Sequence, residues 1–128
     1  MLFGLAAAWN AAAALGAVAL ADRGLRARLG LDPAVDPLAW HLTALCVALF
    51  GLGYLGVARD PRRGREIVQL GALGKPLVFA IALGDVLAGQ APAVAAAAAF
   101  VDLVLGLLFW RFLRRHRPES PAPSRSDR

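Results

Sequence analysis

Four nearly uninterrupted apolar stretches, residues 2–21, 39–58, 67–88 and 93–113, constrain this chain more than any other feature. At about 1.5 Å of helical rise per residue, each is long enough to cross a hydrocarbon core about 30 Å thick. A soluble domain has no use for four such runs, and both the 59% hydrophobic content and the mean hydropathy of +0.58 exceed what soluble domains carry. Backbone polar groups in lipid must be satisfied within the segment, which selects helices. The expected fold class is therefore all-α, a four-transmembrane-helix bundle over residues 1–113. The remaining 114–128, rich in Arg, Pro and Ser, reads as a disordered basic tail.

The first stretch has a competing reading. Ala19-Leu20-Ala21 before Asp22 has the small-x-small form of a signal-peptide cleavage site. No basic region precedes it, however, and Trp9-Asn10 interrupts the apolar run, so a retained first span is expected. Residues 22–38 read as a loop with Pro33 and Pro37 as helix stops, and Gly24–Leu29 as a short amphipathic turn on the membrane surface. Trp40 and His41 open the second span, with the tryptophan suited to an interfacial belt. Gly51, Gly53 and Gly56 follow at spacings that allow close helix contact, with Tyr54 among them. The third span contains Pro76, which is expected to weaken or kink it and to leave the Ala72 carbonyl without its amide partner. Gly89-Gln90-Ala91-Pro92 reads as a tight uncharged turn into the fourth span.

Orientation follows from the arginines. The 59–65 turn carries four and the carboxyl-terminal flank another four (Arg111, Arg114, Arg115 and Arg117), against three in the first loop and none in the third. Positive residues mark the cytoplasmic side, so both termini are expected there. The same distribution accounts for the net charge of +5 without nucleic acid as a partner. It also argues against a dual-topology exporter, which needs balanced charge.

Three lone polar residues, Asn10, Lys75 and Asp102, break the apolar runs, each about nine residues, or roughly 14 Å, from its cytoplasmic end. That depth is close to the bilayer centre. A charged group there costs about 2.5–3.5 kcal/mol on insertion scales, and pairing of lysine with aspartate is the simplest compensation. Many of the helical neighbours three, four and seven positions away are small: Ala6, Ala7, Ala13, Ala14 and Ala17 around Asn10, Gly71, Ala72 and Ala82 around Lys75, and Ala95, Ala98, Ala99 and Gly106 around Asp102. Such faces favour close packing, which turns the polar groups inward. His41, Tyr54 and Asp85 are secondary polar positions, with His41 and Asp85 near helix ends where snorkelling to water suffices.

Chemistry is otherwise sparse. The single cysteine, Cys46, excludes an intramolecular disulfide, a CxxC pair and a cysteine-rich metal site. There is no phosphate loop, no pattern of a nucleophile with a matched base and no haem-binding histidine pair, so no catalytic residue, metal or cofactor is assigned and an enzyme is the least favoured class.

The run Gly53-Tyr54-Leu55-Gly56-Val57-Ala58-Arg59-Asp60-Pro61-Arg62-Arg63, continued by Ile67-Val68-Gln69-Leu70-Gly71-Ala72-Leu73-Gly74-Lys75, resembles a group of small bacterial four-helix inner-membrane proteins without an assigned activity. Asn10, Trp40 and Asp102 also resemble positions in that group, and the broader shape is similar to DoxX-like proteins. The resemblance covers most of residues 1–113. It implies a four-helix fold in the bacterial inner membrane and carries over no catalytic residue.

Two functions fit these observations. One is binding or permeation of a small polar or lipid-soluble ligand at the Asn10, Lys75 and Asp102 cluster. The other is an accessory or structural subunit, in which the Lys75–Asp102 pair staples helices and the small-residue faces dock a second copy or a larger membrane partner.

Overall fold

A computed structural model of the chain describes residues 1–28, 36–61 and 64–116, and all regular structure in them is helical. Four long helices, α1 (Leu2–Ala21), α3 (Pro37–Arg59), α4 (Arg65–Leu87) and α5 (Ala93–Arg115), are long and apolar enough to cross a membrane. A short helix, α2 (Arg23–Arg28), follows α1. The expected disorder after the fourth span falls largely on residues 117–128, outside the described residues. Arg114 and Arg115, read as the start of the tail, are helical.

The helix ends show what the sequence patterns do locally. Pro37 starts α3 instead of stopping a helix. Proline at the first helical position gives up an amide that has no partner there anyway, and the Asp36 carboxylate accepts from the Leu38 amide at 2.9 Å. The loop expected over 22–38 likewise contains α2, whose start is held by the Leu25 amide donating to Asp22 Oδ1 at 2.7 Å. The short turn expected over 24–29 is helical through Arg28, with Leu29 outside the described residues, and Arg26 within it is buried. It is 2% exposed, and its Nη1 donates to the Leu20 carbonyl at 2.7 Å and to the Ala21 carbonyl at 3.4 Å. A guanidinium thus satisfies carbonyls that the last turn of α1 leaves open.

Pro76 does not interrupt α4, which runs unbroken for 23 residues. Its ring is accommodated by a neighbour: a Cβ at Gly106 on α5 would lie 2.7 Å from Pro76 Cδ. The α4–α5 turn needs its glycine for another reason, since Gly89 has φ of +72°.

The long helices pair most extensively as α1 with α3 and α4 with α5, and α3 makes a smaller contact with α4. The two pairs join at the end that carries the chain termini. There Phe3, Tyr54, Val57, Val68 and Phe109 form a buried core, with Phe3–Phe109 ring centroids 5.2 Å apart and Tyr54–Phe109 centroids 5.0 Å apart. Beyond Lys75, α4 buries none of its residues, so the opposite half of the bundle is far less tightly closed on that side. Around the outside, Leu45, Leu49, Leu52, Leu73 and Leu107 are each more than half exposed. A contiguous apolar surface of this kind suits acyl chains and not water.

Candidate functional site

Asn10, Lys75 and Asp102 meet. Lys75 Nζ donates to Asp102 Oδ1 in a close ion pair and to Asn10 Oδ1 at 3.0 Å, and Asn10 Nδ2 in turn donates to the Val47 carbonyl of α3 at 3.2 Å. One ammonium therefore ties α4 to its hairpin partner α5 and, through Asn10, to the α1–α3 pair. Asn10 and Lys75 are 5% and 6% exposed. Tyr54, a secondary position in the sequence, joins them: its ring centroid lies 5.5 Å from Lys75 Nζ, within cation–π range.

Small residues make this convergence possible. Gly51 of α3 lies against α1 at Asn10, where a Cβ would stand 3.2 Å from Asn10 Cβ. A Cβ on Gly71 would collide with the Tyr54 hydroxyl and would stand 2.9 Å from Phe109 Cε2. On α5, Gly106 admits the Pro76 ring and the Lys75 Cβ. Of the other two glycines expected on the second span, Gly53 abuts Ile67, whereas Gly56 faces open space. Most of the small residues expected around the cluster are buried, including Ala6, Ala7, Ala14, Ala17, Ala72 and Ala99.

The cluster forms one end of a cavity of about 480 Å³ between the helix pairs. Its walls run from Asn10, Tyr54 and Lys75 through Ala13, Val47 and Val78 toward Leu20 and Trp40 at the end away from the termini. The aromatic core seals the other direction. Cavities of this size suit drug-sized molecules, and the lining is apolar apart from a few convergent polar groups. Two of those groups are unexpected. Trp9 and Trp40 line the cavity, and each has its indole N–H buried without a hydrogen-bond partner. A buried unsatisfied donor costs about 1–3 kcal/mol; neither nitrogen opens into the cavity as the rings stand, so an acceptor held there reaches them when the rings turn.

Trp40, expected in an interfacial belt, has its indole nitrogen turned away from solvent. Trp9 carried a usable signal, a tryptophan inside a span next to its lone asparagine. His41 and Asp85 remain apart from this site: both are exposed, neither side chain bonds to another described residue, and the Asp85 carbonyl accepts from the Gln90 and Ala91 amides in the α4–α5 turn. No group of His, Cys, Asp and Glu suited to a metal ion occurs among the described residues. Comparisons with protein-family models, with curated proteins and with solved structures gave no match.

Proposed function

We propose that this chain is a multi-pass membrane protein, with both termini cytoplasmic, that binds a neutral, mainly apolar molecule carrying oxygen acceptors in the cavity between its two helix pairs. The pair of partnerless indole N–H groups beside an apolar cavity carries this reading. Neutrality follows from the cluster: Lys75 and Asp102 already cancel, and a charged ligand would bring an uncompensated charge into low dielectric. With orientation set by the arginines, the cavity lies in the outer half of the bilayer. The likeness to small DoxX-like inner-membrane proteins belongs to the same proposal and supports the bacterial inner membrane as the location.

A brominated fatty-acid methyl ester serves as the probe, because bromine quenches tryptophan fluorescence on contact and the ester supplies a neutral acceptor. In a Trp110→Phe background only the cavity tryptophans report, and saturable quenching is expected. Adding Trp9→Phe is expected to weaken ester binding roughly fivefold to tenfold, the equivalent of one hydrogen bond of about 1–1.4 kcal/mol. Its effect on stability should stay within about 1 kcal/mol, because lost packing and the relief of an unsatisfied donor oppose each other. Non-saturable quenching, equal in both variants, would reject ligand binding.

A second reading has its own support. Lys75 has two side-chain acceptors and Asn10 a backbone acceptor, so the cluster is complete without a ligand and works as a staple within a larger assembly. Purification in mild detergent distinguishes the two. A stoichiometric companion protein favours the accessory subunit, and a monodisperse homomer that binds the ester favours the first reading.

A further inference from the structure

On the lipid-facing side of α4 and α5, away from the central cavity, two hollows run into one another. The first, about 390 Å³, is lined by Arg65, Gln69, Leu113 and Arg114 as well as Ala72, Leu73 and Trp110. The second, about 380 Å³, shares Ala72, Leu73 and Trp110 and continues past Pro76 and Gly106 to Leu77 and Leu107. Together they make a trough along the seam of the hairpin. From Arg65 to Leu77 it extends roughly 18 Å at the helical rise, more than half the thickness of the hydrocarbon core.

The trough is polar at one end only. Arg65 and Arg114 stand at the terminal end of the bundle with Gln69 beside them, and no acidic residue lines either hollow. Arg65 is held in place because its Nη1 donates to the His116 carbonyl at the end of α5, which leaves its other N–H groups for an acceptor. Trp110 follows at the depth where an amphipathic ring suits the interface. Beyond it the floor is low because Ala72 and Gly106 are small and buried, while Leu73, Leu77 and Leu107, each at least 60% exposed, form the apolar banks.

We infer that this trough is a binding site for one anionic phospholipid, with its phosphate between Arg65 and Arg114, its ester region near Gln69 and Trp110, and one acyl chain lying along Leu73 to Leu107. The charge favours this occupant. Two guanidiniums without a carboxylate match a phosphate bearing a net negative charge, whereas a zwitterionic headgroup would bring its own cation to the same place. The proportions agree, with a short cationic end at the membrane surface and a longer apolar channel in the acyl region.

Native mass spectrometry of the full chain, with phosphatidylglycerol and phosphatidylcholine of identical acyl chains added at equal concentration, tests this directly. One phosphatidylglycerol per chain should be retained with at least a roughly tenfold preference, the scale of two weak charge-assisted contacts. Arg114→Gln, at an exposed position, should reduce that preference severalfold, and Arg65→Gln with Arg114→Gln should abolish it. Arg111→Gln, an arginine of the same helix outside the trough, should leave it intact. In a Trp9→Phe, Trp40→Phe protein, chain-brominated phosphatidylglycerol should quench Trp110. Equal retention of the two lipids, or an unchanged preference in the double variant, would overturn the inference. So would crosslinking that places a second copy of the chain over Leu73 and Leu107.

Discussion

Removing the Lys75 ammonium leaves the Asp102 carboxylate without its partner midway along a membrane span, and the consequences set the scale for every other substitution at the site. Lys75→Met should destabilise the bundle by about 3–5 kcal/mol, the range for breaking a buried pair from one side. Lys75→Met combined with Asp102→Leu should recover most of that loss, measured by unfolding in bicelles. A double variant no more stable than the single one would show that the two groups do not interact. Asn10→Ala is expected to cost less, about 1–2 kcal/mol, because it removes two interhelical hydrogen bonds of modest worth in lipid. Gly71→Ala probes geometry instead of charge. Its methyl group meets the buried Tyr54 hydroxyl and the Phe109 ring, so an overpacking loss of about 1–3 kcal/mol or more is expected. Tyr54→Phe should return part of it, since the hydroxyl collision disappears and the Phe109 contact stays.

At the scale of the helices, the apolar runs made the four long helices legible to within two residues at every end, because nothing but a helix satisfies the backbone in lipid. The small departures have local causes. Pro37 acts as a starter in the presence of Asp36, and α5 extends to Arg115, where cationic side chains suit a helix C-terminus. Pro76 is tolerated because Gly106 lies across from it, a pairing between helices that no local pattern reveals. Helix faces can be tested by size. Ala6, fully buried, and Ala8, exposed, lie two residues apart on α1. Ala6→Leu should therefore cost about 1–3 kcal/mol by overpacking, whereas Ala8→Leu should be near neutral in the same unfolding assay. Equal effects would mean that α1 presents a different face to the bundle.

For the whole molecule, the shared depth of Asn10, Lys75 and Asp102 was readable because rise per residue converts sequence position into distance along the membrane normal. The cavity was not. It depends on how far α4 stands from the α1–α3 pair beyond Lys75, and its wall residues, such as Ala13, Gly16 and Val78, look like any other packing or lipid-facing residues. The role of Trp40 was obscured for the same reason, since an interfacial and a cavity tryptophan occupy the same place in a sequence. Orientation is the other global property, and the arginine distribution gives a definite expectation. A fluorescent-protein fusion at Arg128 should fluoresce and a periplasmic phosphatase inserted at Gln90 should be active, with the reverse pattern refuting cytoplasmic termini.

The chain contains one lysine and one asparagine, which makes both side chains selectively labelable. Solid-state NMR in lipid bilayers, with ¹⁵Nζ-lysine dephased by ¹³Cγ of asparagine and of aspartate in separate samples, measures the central contact directly. Strong, short-range dephasing from both labels is expected, with the aspartate effect lost in Asp102→Leu. Little dephasing from either label, or an aspartate effect that survives Asp102→Leu, would contradict a single ammonium bridging the two helix pairs.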